Sequence, residues 1–143
     1  MTLMDASQAE ALYAAMGAGV EVSGGSAANT IAGIASLGGR TAFIGKVRDD
    51  QLGTVYVHDL RALGVEFPAK PARQGPGTGR CYILVTPDAQ RTMNTYLGAA
   101  VELGPLDVDP ALVARAKGLY LEGYLWDRRS EEHTSELQSR LHL

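Results

Sequence analysis

Cysteine is almost absent from this sequence. Cys81 stands alone, so an internal disulfide is excluded, and no C-x-x-C pair or histidine cluster indicates a metal site. No apolar run is long enough to span a bilayer, and the first residues lack the basic and apolar regions of a signal peptide. The formal net charge of −3 gives no electrostatic basis for binding nucleic acid or an anionic membrane. We therefore expect one cytoplasmic domain with no nucleic-acid or membrane partner.

Hydrophobic spacing and turn residues predict helices that alternate with strands. Such an alternation favours an α/β fold with a mostly parallel sheet. A hairpin that turns at Pro87-Asp88 does not belong to the alternation and predicts a smaller antiparallel sheet. The predicted helices cover residues 5–17, 26–37, 50–63 and 109–118, and the predicted strands cover residues 20–22, 41–47, 65–67, 80–88, 91–98 and 119–126.

The stretch "VSGGSAANTIAGIASLGG" places two adjacent glycines directly before a helix. Gly24 and Gly25 are followed by Asn29 in the first helical turn. No G-K-[ST] follows, which argues against a phosphate-binding P-loop, and G-x-G-x-x-G is absent, which argues against a dinucleotide-binding domain. Locally the glycines indicate either a tight strand-to-helix turn or a backbone left bare for a ligand.

A longer pattern around these glycines resembles the first signature of the ribokinase-like sugar kinases, the phosphofructokinase-B family. The pattern is "SGGSAANTIAGIASLGGRTAFIGKVRDDQLG", about thirty residues that end in a D-x-x-G motif. Further along, "RTMNTYLGAA" and "LEGY" look most like the adenosine-kinase branch. Arg48 departs from the family, which often has glycine there. The resemblance implies a partial ribokinase-like fold, with a mostly parallel three-layer α/β sheet and a small antiparallel β lid.

The resemblance also implies a role for the glycines and Asn29. In these kinases the Gly-Gly pair lies under the substrate sugar, and the asparagine bonds its hydroxyls. The residue types suit this role, because a buried sugar needs a partner for every hydroxyl and an amide side chain both donates and accepts. Gly24, Gly25 and Asn29 are therefore substrate-binding candidates. For Asp49 and Asp50 we prefer the simpler interpretation of helix N-caps.

Three further residues are candidates by resemblance. Arg91 corresponds to a position that touches the transferred phosphate, where a permanent charge is useful; an exposed hairpin charge is the alternative. Ala99, with its neighbours Leu97 and Ala100, would border the base or sugar; strand packing is the alternative. Glu122 lies in an apolar predicted strand, and burying its carboxylate unpaired is costly, so we expect a partner in the substrate or in the protein.

The family's catalytic half has no counterpart in this sequence. The G-A-G-D motif, which supplies the catalytic base and the anion hole in these kinases, is absent, and "MTLMD" resembles a segment internal to them. The resemblance implies ATP and Mg²⁺ as cofactors of the complete enzyme and a nucleoside or sugar as substrate. We expect this chain alone to be inactive. The alternative is a non-catalytic module that binds a nucleoside or sugar, or that forms a homodimer through its β lid.

The C-terminal residues differ in character from the rest. "RSEEHTSELQS", beginning at Arg129, is identical over eleven residues to the translation of a common sequencing-library adapter. We therefore expect a partial kinase domain over residues 1–128 and a non-native tail over residues 129–143. A solvated polar tail is the alternative. His133 is accordingly not a catalytic candidate.

Overall fold

Residues 1–68 and 70–123 are described by a computed structural model, in which four α-helices are separated by turns and extended segments. The helices are α1 (Ala6–Ala15), α2 (Ser26–Ser36), α3 (Gln51–Ala62) and α4 (Pro110–Ala114). The strands are β1 (Thr2–Leu3), β2 (Arg80–Val85) and β3 (Arg91–Tyr96), and two 3₁₀ turns cover Gly98–Glu102 and Pro105–Asp107.

The helix starts follow from local side-chain chemistry. Asp5, Asp50 and Asp109 each accept a hydrogen bond from a backbone amide in the first turn of α1, α3 and α4, which confirms the N-cap interpretation for Asp50. The start of α2 differs, because its N-cap is Gly25, which has no side chain to offer. Gly38 ends α2 with a positive φ of 84°, a conformation that glycine adopts without strain.

One small mixed sheet is formed. Strands β2 and β3 make an antiparallel hairpin that runs from the Arg80↔Tyr96 pair to the Val85↔Arg91 pair, which confirms the predicted hairpin. Strand β1 adds in parallel to β3, so the strand order is β1-β3-β2. Tyr13 of α1 stacks on Tyr82 of β2 with ring centroids 5.9 Å apart, so this helix covers one face of the sheet.

The predicted mostly parallel sheet is reduced to isolated bridges in the described part of the chain. Around residues 41–47, parallel pairing is limited to the Ala42↔Glu66 and Arg48↔Ala72 bridges, and the parallel β1–β3 pair belongs to the small mixed sheet. Residues 20–22 form no strand, and Val20 and Val22 are 92% and 78% exposed. A strand needs a neighbour to satisfy its backbone groups, and the described residues provide none at these places.

Two further predictions for the C-terminal part differ from the structure. Residues 119–123 form no strand and Leu121 is exposed, while Tyr124 and Trp126 lie outside the described residues. Helix α4 ends at Ala114 rather than near Gly118. A short helix depends on packing for its stability, and α4 buries only Leu112. The predicted tail, residues 129–143, also lies outside the described residues.

The hydrophobic core joins α2 to α3. Its buried members are Ala28, Leu60, Val65 and Phe67, with Ile31, Ala35, Phe43, Tyr56 and Val57 packed against them. Tyr56 and Phe67 meet edge to face, with ring centroids 6.2 Å apart. This packing fixes the N-terminal end of α2, where the two glycines lie, against the side of α3.

No helix in the described part of the chain is long and apolar enough to cross a membrane.

Candidate substrate site

The glycine entrance, Gly24 and Gly25, is an open stretch of backbone at the start of α2. Gly25 has φ +104° and ψ 138°, a conformation that L side chains rarely adopt. A Cβ built on Gly25 would lie 3.8 Å from the Tyr56 hydroxyl, whereas one built on Gly24 would meet nothing within 4 Å. Both interpretations of the sequence therefore have a structural basis: Gly25 is required by the turn, and Gly24 leaves space free.

Two residues of α3, Asp59 and Tyr56, lie beside the glycine entrance. The hydroxyl of Ser23 donates to the carboxylate of Asp59 on α3 at 2.6 Å. This hydrogen bond, with help from the neighbouring His58, lowers the pKa of Asp59 below its ordinary value. The Tyr56 hydroxyl lies close to Gly25, 3.8 Å from where a Cβ would stand, and burial raises the pKa of this hydroxyl to about 12. The entrance is thus bonded to α3 through Ser23 and lies close to Tyr56 of the same helix.

The first turn of α2 presents polar groups at the entrance. Its leading amides have no carbonyl partner within the helix, and the N-cap provides no side-chain oxygen for them. Asn29 is exposed on this turn, and its own amide donates to the carbonyl of Gly25 at 2.8 Å. Its side chain is therefore positioned at the surface beside the entrance, where an amide can both donate and accept.

Glu122 lies with this helix start in one open cleft. The cleft has a volume of about 480 Å³ and is lined by Ser26 of α2 and by residues 120–123. Glu122 is half-buried, and its carboxylate accepts a hydrogen bond of 3.3 Å from the Tyr120 hydroxyl. Glu122 thus has a hydrogen-bond partner within the protein, and the cleft reaches α2 at Ser26, the residue directly after Gly25.

A second cavity, which we call the apolar cavity, lies where β1 meets the end of β3. Its volume is about 240 Å³, and its lining includes Leu3, Thr95, Leu97, Gly98 and Val101. Thr95 pairs with Leu3 in the sheet, so both side chains lie on the same face. Nothing in the sequence pattern singled out Leu3, because its role depends on parallel pairing with a strand some ninety residues away.

Ala99 lies behind the apolar cavity rather than in its wall. Its side chain is completely buried, and its amide donates to the carbonyl of Gly77 at 2.8 Å. The adjacent residues Leu97 and Gly98 line the cavity instead. Substrate contact through Ala99 itself therefore remains a prediction.

Arg91 lies at the far end of the open face of the sheet. The strand pairing places Arg91 and Thr95 on the same face of the sheet, opposite the face that Tyr13 covers. The other residues on this face are Met93, Val85, Ile83 and Cys81. Arg91 is exposed, and the strand rise puts it about 13 Å from Thr95 at the cavity. Arg91 thus shares its sheet face with Thr95, one of the residues that line the apolar cavity.

The described residues 1–68 and 70–123 contain no group of three or more His, Cys, Asp or Glu side chains that could hold a metal ion.

The described residues thus form a small mixed sheet and a packed helix pair, which is an α/β arrangement. The chain belongs to the pfkB family of carbohydrate kinases, whose family model matches residues 3–143.

Similarity to individual proteins supports this assignment. Adenosine kinase from Sinorhizobium meliloti is 60% identical with a TM-score of 0.84, over 88% of this chain and 38% of that one. A probable sugar kinase from Rhizobium etli is 57% identical with a TM-score of 0.85, over 89% of this chain and 38% of that one. The 5-dehydro-2-deoxygluconokinase of Geobacillus kaustophilus is 34% identical over 103 residues, 70% of this chain.

The matched region spans 31% of the length of that Geobacillus kinase and 38% of the length of each of the two structures.

Proposed function

We propose that this chain is the substrate-binding part of an ATP-dependent kinase that transfers the γ-phosphate to a primary hydroxyl of an adenosine-like nucleoside or a sugar. The observation that carries the proposal is the glycine entrance, because Gly24 leaves open space directly before α2, and Ser26, the first residue of α2, lines a cleft together with Glu122. Family membership supplies the reaction class.

The polar groups at the entrance suit a ring of hydroxyls. The sugar lies against the backbone of Gly24 and Gly25, which a side chain would prevent. Leading amides of α2 donate to its oxygens, the side chain of Asn29 pairs with a hydroxyl, and Glu122 accepts from another. Each hydroxyl then has a partner, which compensates for the loss of water.

The apolar cavity favours a nucleoside over a free sugar. Leu3, Leu97 and Val101 give it aliphatic walls, which suit a planar base better than a polyol. The 60% identity to an adenosine kinase supports the same choice. Arg91, on the same sheet face, is the residue we assign to the transferred phosphate.

The complete enzyme uses ATP and Mg²⁺ in this proposal. Phosphoryl transfer depends on positioning and on stabilising charge around the phosphate and the metal. The sequence contains no G-A-G-D motif to provide the base and the anion hole that the family resemblance calls for. We therefore expect the 143-residue chain to bind the nucleoside without phosphorylating it.

A calorimetric titration of the 143-residue chain with adenosine and with fructose tests the proposal. We expect heat of binding with adenosine, and loss of that heat in Gly24→Ala, because the new methyl group occupies the space for the sugar. Gly33→Ala is the matched control, since a Cβ there also meets nothing within 4 Å but lies in the middle of α2. Binding of fructose alone would favour a sugar kinase, and equal binding by wild type and Gly24→Ala would refute the site.

A second candidate function is a non-catalytic module that pairs with a second copy through its lid sheet. Among the described residues, β2 forms an edge of the sheet, with Ile83 and Val85 46% and 63% exposed. Such an edge is a template for strand pairing. Analytical ultracentrifugation tests this candidate: a dimer that Val85→Lys dissociates and Val20→Lys does not would support it. A monomer at all concentrations would exclude it.

A further inference from the structure

Asp50 makes more hydrogen bonds than a helix cap requires. One carboxylate oxygen accepts from the amide of Gly53 at 2.8 Å, which is the capping bond. The same oxygen also accepts from the hydroxyl of Thr78 at 2.7 Å, and the other oxygen accepts from the amide of Thr78 at 2.9 Å. The start of α3 is therefore bound twice to a residue 28 positions further along the chain.

Thr78 is enclosed where these bonds meet. It is 6% exposed, and its hydroxyl oxygen also accepts from the amide of Arg48 at 3.0 Å. The guanidinium of Arg48 donates to the carbonyl of Gly75. Two sets of hydrogen bonds thus fix the loop that contains Thr78 to the segment before α3. One set is made by Thr78 with Asp50 and Arg48, and the other by the Arg48 side chain with Gly75.

The same loop supports the wall of the apolar cavity. The carbonyl of Gly77 accepts from the amide of Ala99, and a Cβ on Gly98 would lie 2.2 Å from that carbonyl oxygen. A Cβ on Gly79 would lie 2.6 Å from the carbonyl oxygen of Leu97. Backbone packs directly on backbone here, so a shift of the loop must move Leu97 and Gly98, which line the cavity.

We propose that Asp50 is a positioning residue of the nucleoside site, which holds Leu97 and Gly98 in the cavity wall through Thr78 and Gly77. This inference rests on the proposed function for the identity of the ligand, but the geometry it describes belongs to the chain alone. Asp50 does not line the cavity, and it acts through the loop beneath it.

Asp50→Asn separates positioning from capping. Asparagine caps a helix about as well as aspartate, so the Gly53 bond is kept. Its amide nitrogen cannot accept from the Thr78 amide, so one of the two links to the loop is lost. Asp109→Asn, at the cap of α4, is the matched control. Thr78→Val removes the hydroxyl that donates to Asp50, so it breaks the other link to the loop, and Thr78→Ser keeps that hydroxyl.

Amide hydrogen exchange measured by NMR provides the decisive readout, with adenosine affinity beside it. In Asp50→Asn and Thr78→Val we expect the Ala99 amide to exchange about tenfold faster and adenosine to bind about tenfold more weakly, with α3 retained and with Thr78→Ser close to wild type. Unchanged Ala99 exchange in both variants would overturn the inference. Wild type that fails to bind adenosine would refute the proposed function, while the exchange rates would still decide whether Asp50 positions the wall.

Discussion

The hydroxyl of Ser23 donates to the carboxylate of Asp59 across 36 residues of sequence, and the residue it anchors comes directly before Gly24. Asp59 lies on α3, one turn from Tyr56, whose hydroxyl lies close to Gly25. The open backbone of the glycine entrance is therefore not a loose turn, because the Ser23–Asp59 hydrogen bond ties it to α3.

Ser23→Ala should weaken adenosine binding about threefold to tenfold, because it removes the hydrogen bond that orders the entrance without touching the ligand. Calorimetry measures the affinity, and circular dichroism checks that the helices are retained. Ser36→Ala, at the exposed end of α2, should bind adenosine like wild type. An unchanged affinity in Ser23→Ala would show that the Asp59 contact does not order the entrance.

Gly25→Ala should destabilise the chain by about 1–3 kcal/mol, since φ +104° is disfavoured for any residue with a Cβ. Gly24→Ala should leave the stability nearly unchanged while it blocks the ligand. Urea denaturation of both variants measures the difference. Equal destabilisation by the two substitutions would contradict the division of roles between the two glycines.

Two Gly→Ala substitutions within helices should have opposite effects on the stability of the chain. Gly53→Ala places a Cβ 2.0 Å from the carbonyl oxygen of Arg48 and should destabilise by about 2 kcal/mol or more. Gly33→Ala meets nothing within 4 Å and should stabilise by about 1 kcal/mol through helix propensity. Thermal unfolding checks both signs, and a stabilised Gly53→Ala would mean that α3 does not approach Arg48 so closely.

Stability should fall at high pH because of Tyr56. Burial raises the pKa of its hydroxyl from 10.0 to about 12, so the folded chain keeps the phenol neutral where the unfolded chain ionises it. The contribution is fully present below pH 10 and is lost as the pH rises through about 12. Unfolding free energies measured across this range should decline less steeply in Tyr56→Phe. Identical slopes would contradict the buried phenol.

Local chemistry in the sequence predicted α1, α2, α3 and the hairpin, because caps, periodicity and turn residues act within a few positions. Asp50 and Gly25 mark helix starts in both the sequence and the structure. The strand predicted at residues 20–22 was wrong, and so was the described part, residues 119–123, of the strand predicted at residues 119–126. A strand is defined by its neighbour, and the described residues supply none there.

Residues of the candidate site differ in the same way in how far the sequence predicts them. Gly24, Gly25 and Asn29 could be proposed from the sequence because a family pattern groups them within a few residues, and their role in binding stays a prediction. Leu3 and Thr78 were missed, because they reach the apolar cavity and Asp50 only through contacts between distant segments. A short sequence motif does not predict the direct packing of backbone on backbone that is seen between Gly77 and Gly98.

Intermolecular nuclear Overhauser effects between adenosine and the 143-residue chain test the central claim most directly. We predict contacts from the ribose protons to the Hα protons of Gly24 and Gly25, and from the adenine protons to the methyl groups of Leu97. A folded chain that binds adenosine with neither set of contacts, or that does not bind it at all, would contradict the assignment of this chain as the substrate-binding part of a nucleoside kinase.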